Sequence, residues 1–86
     1  VETIDLMPNP THSGQSANLV IKSDKSFEAG INIYDVSGRL ISSEQRAISS
    51  GSTVHSISTI GMSAGIYIVA VQSENGVINK KLVITE

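Results

Sequence analysis

Cysteine and tryptophan are both missing from this 86-residue chain, and its aromatic side chains are only Phe27, Tyr34 and Tyr67. Without cysteine there is no disulfide framework, no thiolate nucleophile and no sulfur ligand for zinc. Taken alone, that absence points toward a reducing compartment, although a β-sandwich of this size can stand without a staple. Charge of one sign is also lacking. The net charge is −2 and both signs are scattered along the chain. A polyanion would need a basic stripe, so no nucleic acid is expected as a partner. The longest fully apolar run is Ile66 to Val71, six residues, far below the roughly 20 of a membrane-spanning helix. The only histidines, His12 and His55, fall in different predicted elements, and no carboxylate stands at ligand spacing from either. No zinc site follows from them. No serine occupies a nucleophile-elbow sequence, no glycine cluster can cradle a phosphate, and calcium-loop spacing is absent. The expectation is a protein with no cofactor and no catalysis of its own.

What is present is a strand rhythm. Apolar residues make up 40% of the chain, enough for one small core and too little chain for two domains. A domain of this length buries only about 60% of the surface its unfolded chain exposes. Isoleucine, valine and leucine dominate, and β-branched side chains suit a pleated sheet. Short alternating runs recur between clusters of Gly, Ser, Asn and Asp. That pattern predicts an all-β, Ig-like antiparallel sandwich of about seven strands, near 3–7, 17–23, 30–35, 39–46, 53–58, 66–74 and 77–85. The serine-rich stretch 42–58 reads as a loop with an exposed edge strand.

The turns sharpen this reading. Pro8-Asn9-Pro10 lacks two backbone donors, so it cannot lie inside a central strand. It is expected to end the first strand and swing the chain to the other sheet. Asp35-Val36-Ser37-Gly38 predicts a hairpin bend, with Asp35 accepting from a backbone N–H two residues on and Gly38 left-handed in a three-residue loop. Asn75-Gly76 is the strongest hairpin signal. Used as a two-residue loop, it sets Tyr67 opposite Ile84, Val69 opposite Leu82, Val71 opposite Lys80 and Ser73 opposite Ile78. The core face of that ribbon is then Tyr67, Val69, Val71, Ile78, Leu82 and Ile84. The opposite face is polar near the turn and apolar at the far end. There Ile66, Ile68 and Val83 cluster beside Lys81 as a candidate docking patch.

Four segments, in order, carry a resemblance. They are Met7-Pro8-Asn9-Pro10, Ile33-Tyr34-Asp35-Val36-Ser37-Gly38-Arg39-Leu40-Ile41, Gly65-Ile66-Tyr67-Ile68-Val69-Ala70-Val71, and Lys80-Lys81-Leu82-Val83. Together they resemble the type A C-terminal sorting domain of the type IX (Por) secretion system of Bacteroidota. The chain departs from that family at its Ile84-Thr85-Glu86 end and in residues 57–62. The sorting-motif positions the resemblance implies are Pro8, Asn9, Pro10, Gly38, Gly65, Tyr67, Val69, Lys80, Lys81, Leu82 and Val83. Each also has a structural reading. The glycines satisfy backbone geometry, Tyr67 forms a tyrosine corner, and the lysines discourage edge pairing.

The resemblance implies that residues 1–86 are a single sorting domain at the C-terminus of a larger secreted protein. The chain opens at Val1 rather than Met, as expected of a piece of a longer protein or of a chain whose leader was removed. The implied partners are the type IX translocon, its outer-membrane shuttle proteins, a sortase-like cysteine protease cutting upstream of the domain, and the cargo that precedes it. The implied path is the periplasm, then the outer membrane and cell surface or medium. A homodimer of the isolated piece is a further expectation, through an exchanged edge strand. The rival reading is an Ig-like adhesion or carbohydrate-binding module of a surface protein.

Overall fold

The computed structural model describes residues 3–7, 10–73 and 76–86. Eight strands appear: β1 Thr3–Met7, β2 Thr11–His12, β3 Ser16–Ser23, β4 Phe27–Asp35, β5 Leu40–Ile48, β6 Gly51–Ser58, β7 Gly65–Ser73 and β8 Gly76–Thr85. They form two sheets, in the orders β1-β3-β6 and β2-β8-β7-β4-β5. Among the described residues there is no helix. The architecture is the expected Ig-like sandwich, with one strand more than predicted. That extra strand, β2, runs parallel to β8, and every other pairing is antiparallel.

Alternation explains the core. In β3, Ala17, Leu19 and Ile21 point inward and are fully buried, because side chains two apart share a face. They meet Ala29, Ile31 and Ile33 of β4, Tyr67, Val69 and Val71 of β7, and Leu82 and Ile84 of β8. β1 adds Ile4 and Leu6. Burying one such Leu or Ile stabilises the fold by about 1.5–3 kcal/mol. With so few aromatics, this aliphatic set carries the domain.

Three expectations need correction or completion. First, β8 pairs with β7 two residues away from the predicted register. Tyr67 stands opposite Leu82, Val69 opposite Lys80, Val71 opposite Ile78, and Ser73 opposite Gly76. Gly76 therefore belongs to the ladder rather than to the connection. Asn75 itself lies outside the described residues. The core face survives the error, since a slip of two preserves side-chain facing where a slip of one inverts it. Second, the stretch 42–58 is not a loop with one edge strand. β5 and β6 fill it almost entirely, each at the edge of a different sheet, with only Ser49 and Ser50 between them. Third, the chain does change sheets between Met7 and Thr11. Pro8 and Asn9, to which that change was assigned, lie outside the described residues.

Candidate functional site

Three of the four motif segments, far apart in the sequence, are gathered by the topology at one end of the five-stranded sheet, while Met7 of the first pairs in the other sheet. Thr11, one residue beyond Pro10, pairs with Ile84. Gly65 also pairs with Ile84, and Ile66 with Val83. Asp35, at the end of β4, pairs with Tyr67. The end of β8 thus touches β2 on one side and the start of β7 on the other, and β7 in turn meets the Asp35 turn.

Local chemistry builds each piece. In the turn, the Asp35 Oδ1 accepts from the Ser37 hydroxyl at 2.6 Å and from the backbone N–H groups of Ser37 and Arg39, both at 3.0 Å. The Arg39 Nε stands 3.3 Å from Oδ2. The Ser37 hydroxyl foremost, then the Arg39 and Ser37 backbone donors and the Arg39 guanidinium, hold the Asp35 carboxyl below the usual carboxylate range. Gly38 sits at φ +90°, the left-handed position predicted for it. Its N–H donates to the Asp35 carbonyl at 3.0 Å. Gly65 has φ +152° with open space where a Cβ would stand, so backbone conformation, not crowding, favours glycine there.

Tyr67 is buried, and its hydroxyl donates to the Ser63 carbonyl at 2.7 Å. This is the tyrosine corner expected from its place near the start of a late strand. Val69 and Leu82 are wholly buried and act through the core. Lys80 and Lys81 are both exposed but point to opposite faces. Lys80 lies opposite inward-facing Val69, and Lys81 opposite outward-facing Ile68. They are therefore not one basic patch. Pro10 is exposed just before β2.

On the outer face, Ile66 lies directly across from Val83, and Ile68 from Lys81. The next strand adds Tyr34 beside Ile68, and β5 adds Leu40 beside Tyr34. Ile66 and Leu40 are exposed, and Ile68, Val83 and Tyr34 are half-buried. At the opposite end the rows turn to amides and a hydroxyl, with Asn79, Ala70, Asn32 and Ser43 in register, then Val77, Gln72, Gly30 and Gln45. One end of the face is thus apolar with Lys81 beside it, and the other is mostly polar, with Val77 as its one large exposed apolar side chain. Sequence reasoning found Ile66, Ile68 and Val83 but missed Tyr34 and Leu40, which reach the patch only through the β4 pairings.

No exposed aromatic platform is present among the described residues, since Phe27 and Tyr34 are half-buried and Tyr67 is buried. His12 and His55 lie in different sheets. Two open cavities border His55, one of about 140 Å³ beside Ile31, Ile33 and Ile57 and one of about 330 Å³ between β5 and β6, the larger at the bottom of the roughly 300–1,000 Å³ range of small-molecule sites.

Solved structures share this fold. A domain of PorU from Porphyromonas gingivalis, in the crystal structure of its dimeric latent form, superposes with TM-score 0.74 at 24% identity, covering 99% of this chain and 9% of that one. A β-glucosidase from Listeria innocua, in complex with isofagomine, gives TM-score 0.63 at 14% identity over 98% of this chain and 16% of that one. The chain therefore spans a small fraction of the length of either protein. No curated protein matches it by sequence. The sequence does match the family described as the secretion system C-terminal sorting domain, over residues 5–85. With that match running from β1 to the end of β8, the chain belongs to the type IX secretion C-terminal sorting domain family, whose members are sorting signals rather than enzymes.

Proposed function

We propose that residues 1–86 are the address label of a cargo protein joined at their N-terminal side, and that the apolar end of the outer sheet face is the part that is read. The label takes its cargo from the periplasm through the type IX translocon. The outer-membrane shuttle proteins of that system bind Ile66, Ile68 and Val83 with Tyr34 and Leu40, and Lys81 contributes the one charge. A sortase-like cysteine protease then cuts upstream of the domain, and the cargo is attached to the surface or released. The PorU likeness supports this reading in one respect, since there a domain of this shape is also a small part of a long chain.

The observation that carries the proposal is the convergence of three motif segments, on β4, β7 and β8, at one end of one sheet, where their outward-facing apolar residues adjoin. Removing the tail from Lys80 onward would not test it, because Leu82 and Ile84 are core residues and the domain would unfold. Point changes on the face are the better probe. Fused behind a periplasmic reporter in a strain with the system, Ile66→Glu should stay folded and stop surface delivery. Val77→Glu, exposed on the same face at its polar end, should be delivered normally. Equal delivery of both variants would remove the proposal.

A further inference from the structure

The sandwich is open along one side, where β5 and β6 each end a sheet. β5 is the longest of the edge strands, nine residues, and it pairs only with β4 among the described strands. An edge strand offers its backbone groups to another chain unless it is guarded, and here the guards are a bulge at Ile41 and two inward-facing charges. Lysine and proline are absent from Leu40–Ile48, and its only charges are Glu44 and Arg46.

Those two charges are placed with care. Both face the core side of the sheet, since Glu44 stands opposite Ile31 and Arg46 opposite Ala29. His55 of β6, itself buried, holds them. The Arg46 Nε–H donates to His55 Nδ1 at 3.1 Å. With Nδ1 accepting, the ring proton sits on Nε2, which lies 3.0 Å from Glu44 Oε2. The Glu44 side chain remains half exposed, and Arg46 is exposed. Each charge is thus held to His55 at one atom and otherwise accessible. Inward-facing charges on an edge strand exclude most partners, because a partner must match them.

We propose that β5 pairs with β5 of a second copy of this chain, antiparallel about a twofold axis at Gln45. In that register Glu44 of each copy lies opposite Arg46 of the other, twice by symmetry. Ser43 meets Ala47, and Ser42 meets Ile48. Moving the register by two sets Glu44 against Glu44 in one direction and Arg46 against Arg46 in the other. Moving it by one sets core-side residues against outer-face residues, which a continuous sheet forbids. Among the registers that keep facing, only this one sets Glu44 opposite Arg46. No other edge strand has this property: β6 carries no charge but His55, β1 is five residues long, and β2 is two. The interface is small, so the dimer is weak, with a dissociation constant of about 10–1,000 μM. The inference stands apart from the sorting role, because the apolar end of the outer face stays open in such a dimer.

The test uses the 86-residue chain in amide-resolved NMR and sedimentation equilibrium up to about 2 mM, twice the weakest affinity expected. Concentration-dependent shifts should map to residues 40–48 and His55. Glu44→Arg alone and Arg46→Glu alone each turn both cross-pairs repulsive, and each should weaken the dimer at least about tenfold. An equimolar mixture of the two variants restores both pairs, and its heterodimer should form within about threefold of the wild-type affinity. Retained native spectra show that each variant is folded. A wild-type chain that stays monomeric throughout, or variants that fail to recover on mixing, would overturn the proposal.

Discussion

Tyr67 donates its hydroxyl to the carbonyl of Ser63, four residues upstream, and so ties the start of β7 to the segment that delivers it. The ring is core and the oxygen is a clasp. Tyr67→Phe keeps the first and removes the second. It should cost about 1 kcal/mol, read as a lower urea midpoint with an unchanged slope. Tyr67→Ala removes both and should cost about 3–5 kcal/mol.

Thr59 is wholly buried between two loops. Its hydroxyl donates to the Gln15 carbonyl and accepts from the Gly14 N–H at 3.0 Å. Thr59→Val preserves the shape but strands both backbone groups. The expected loss is about 1–3 kcal/mol. Amide exchange at Gly14 should quicken more than exchange in the core of β3.

Asp35 imposes a pH dependence on the first hairpin turn. Its carboxyl is held below the ordinary range, so the folded state favours the charged form. That contribution is present above the unfolded-chain value, about pH 4, and is lost as pH falls through the lower folded value. The stability difference between wild type and Asp35→Asn should be constant near neutral pH and shrink in acid. Parallel urea titrations across that range, with the Asp35 carboxyl followed by carbon NMR, check both the sign and the group.

Lys80 and Lys81 provide a facing test. If the outer face is what the secretion machinery reads, Lys81→Glu should reduce surface delivery of a fused reporter severalfold, while Lys80→Glu should leave it near normal. The two residues are sequence neighbours of the same type. Equal effects would point to net charge at the strand rather than to a surface.

Much of the fold was legible because alternation is local. The core face of β7 and β8 follows from counting in twos, and it survived a register error of two residues. The error came from giving Gly76 to the turn, whereas it stands in the ladder opposite Ser73. The Asp35–Gly38 bend was readable to the hydrogen bond, since every group it needs lies within five residues. What stayed hidden was non-local. β2 is too short to show any periodicity, and its partner lies at the other end of the chain. Tyr34 and Leu40 join the candidate patch only through pairings that no spacing reveals. His55 looks like any solvated imidazole until β5 brings Glu44 and Arg46 to its two nitrogens.

The short parallel pair of β2 with β8 has a mechanical meaning. Once β1 has been drawn away from β3, a load pulling on the chain's beginning drags Thr11–His12 one way, while anything gripping its end drags Ile84–Thr85 the other. The contacts between them, including the 2.6 Å bond from the Ser13 N–H to the Thr85 carbonyl, are then strained in shear, all together rather than one after another. A domain towed by one end and held by the other is latched at the place where both forces meet.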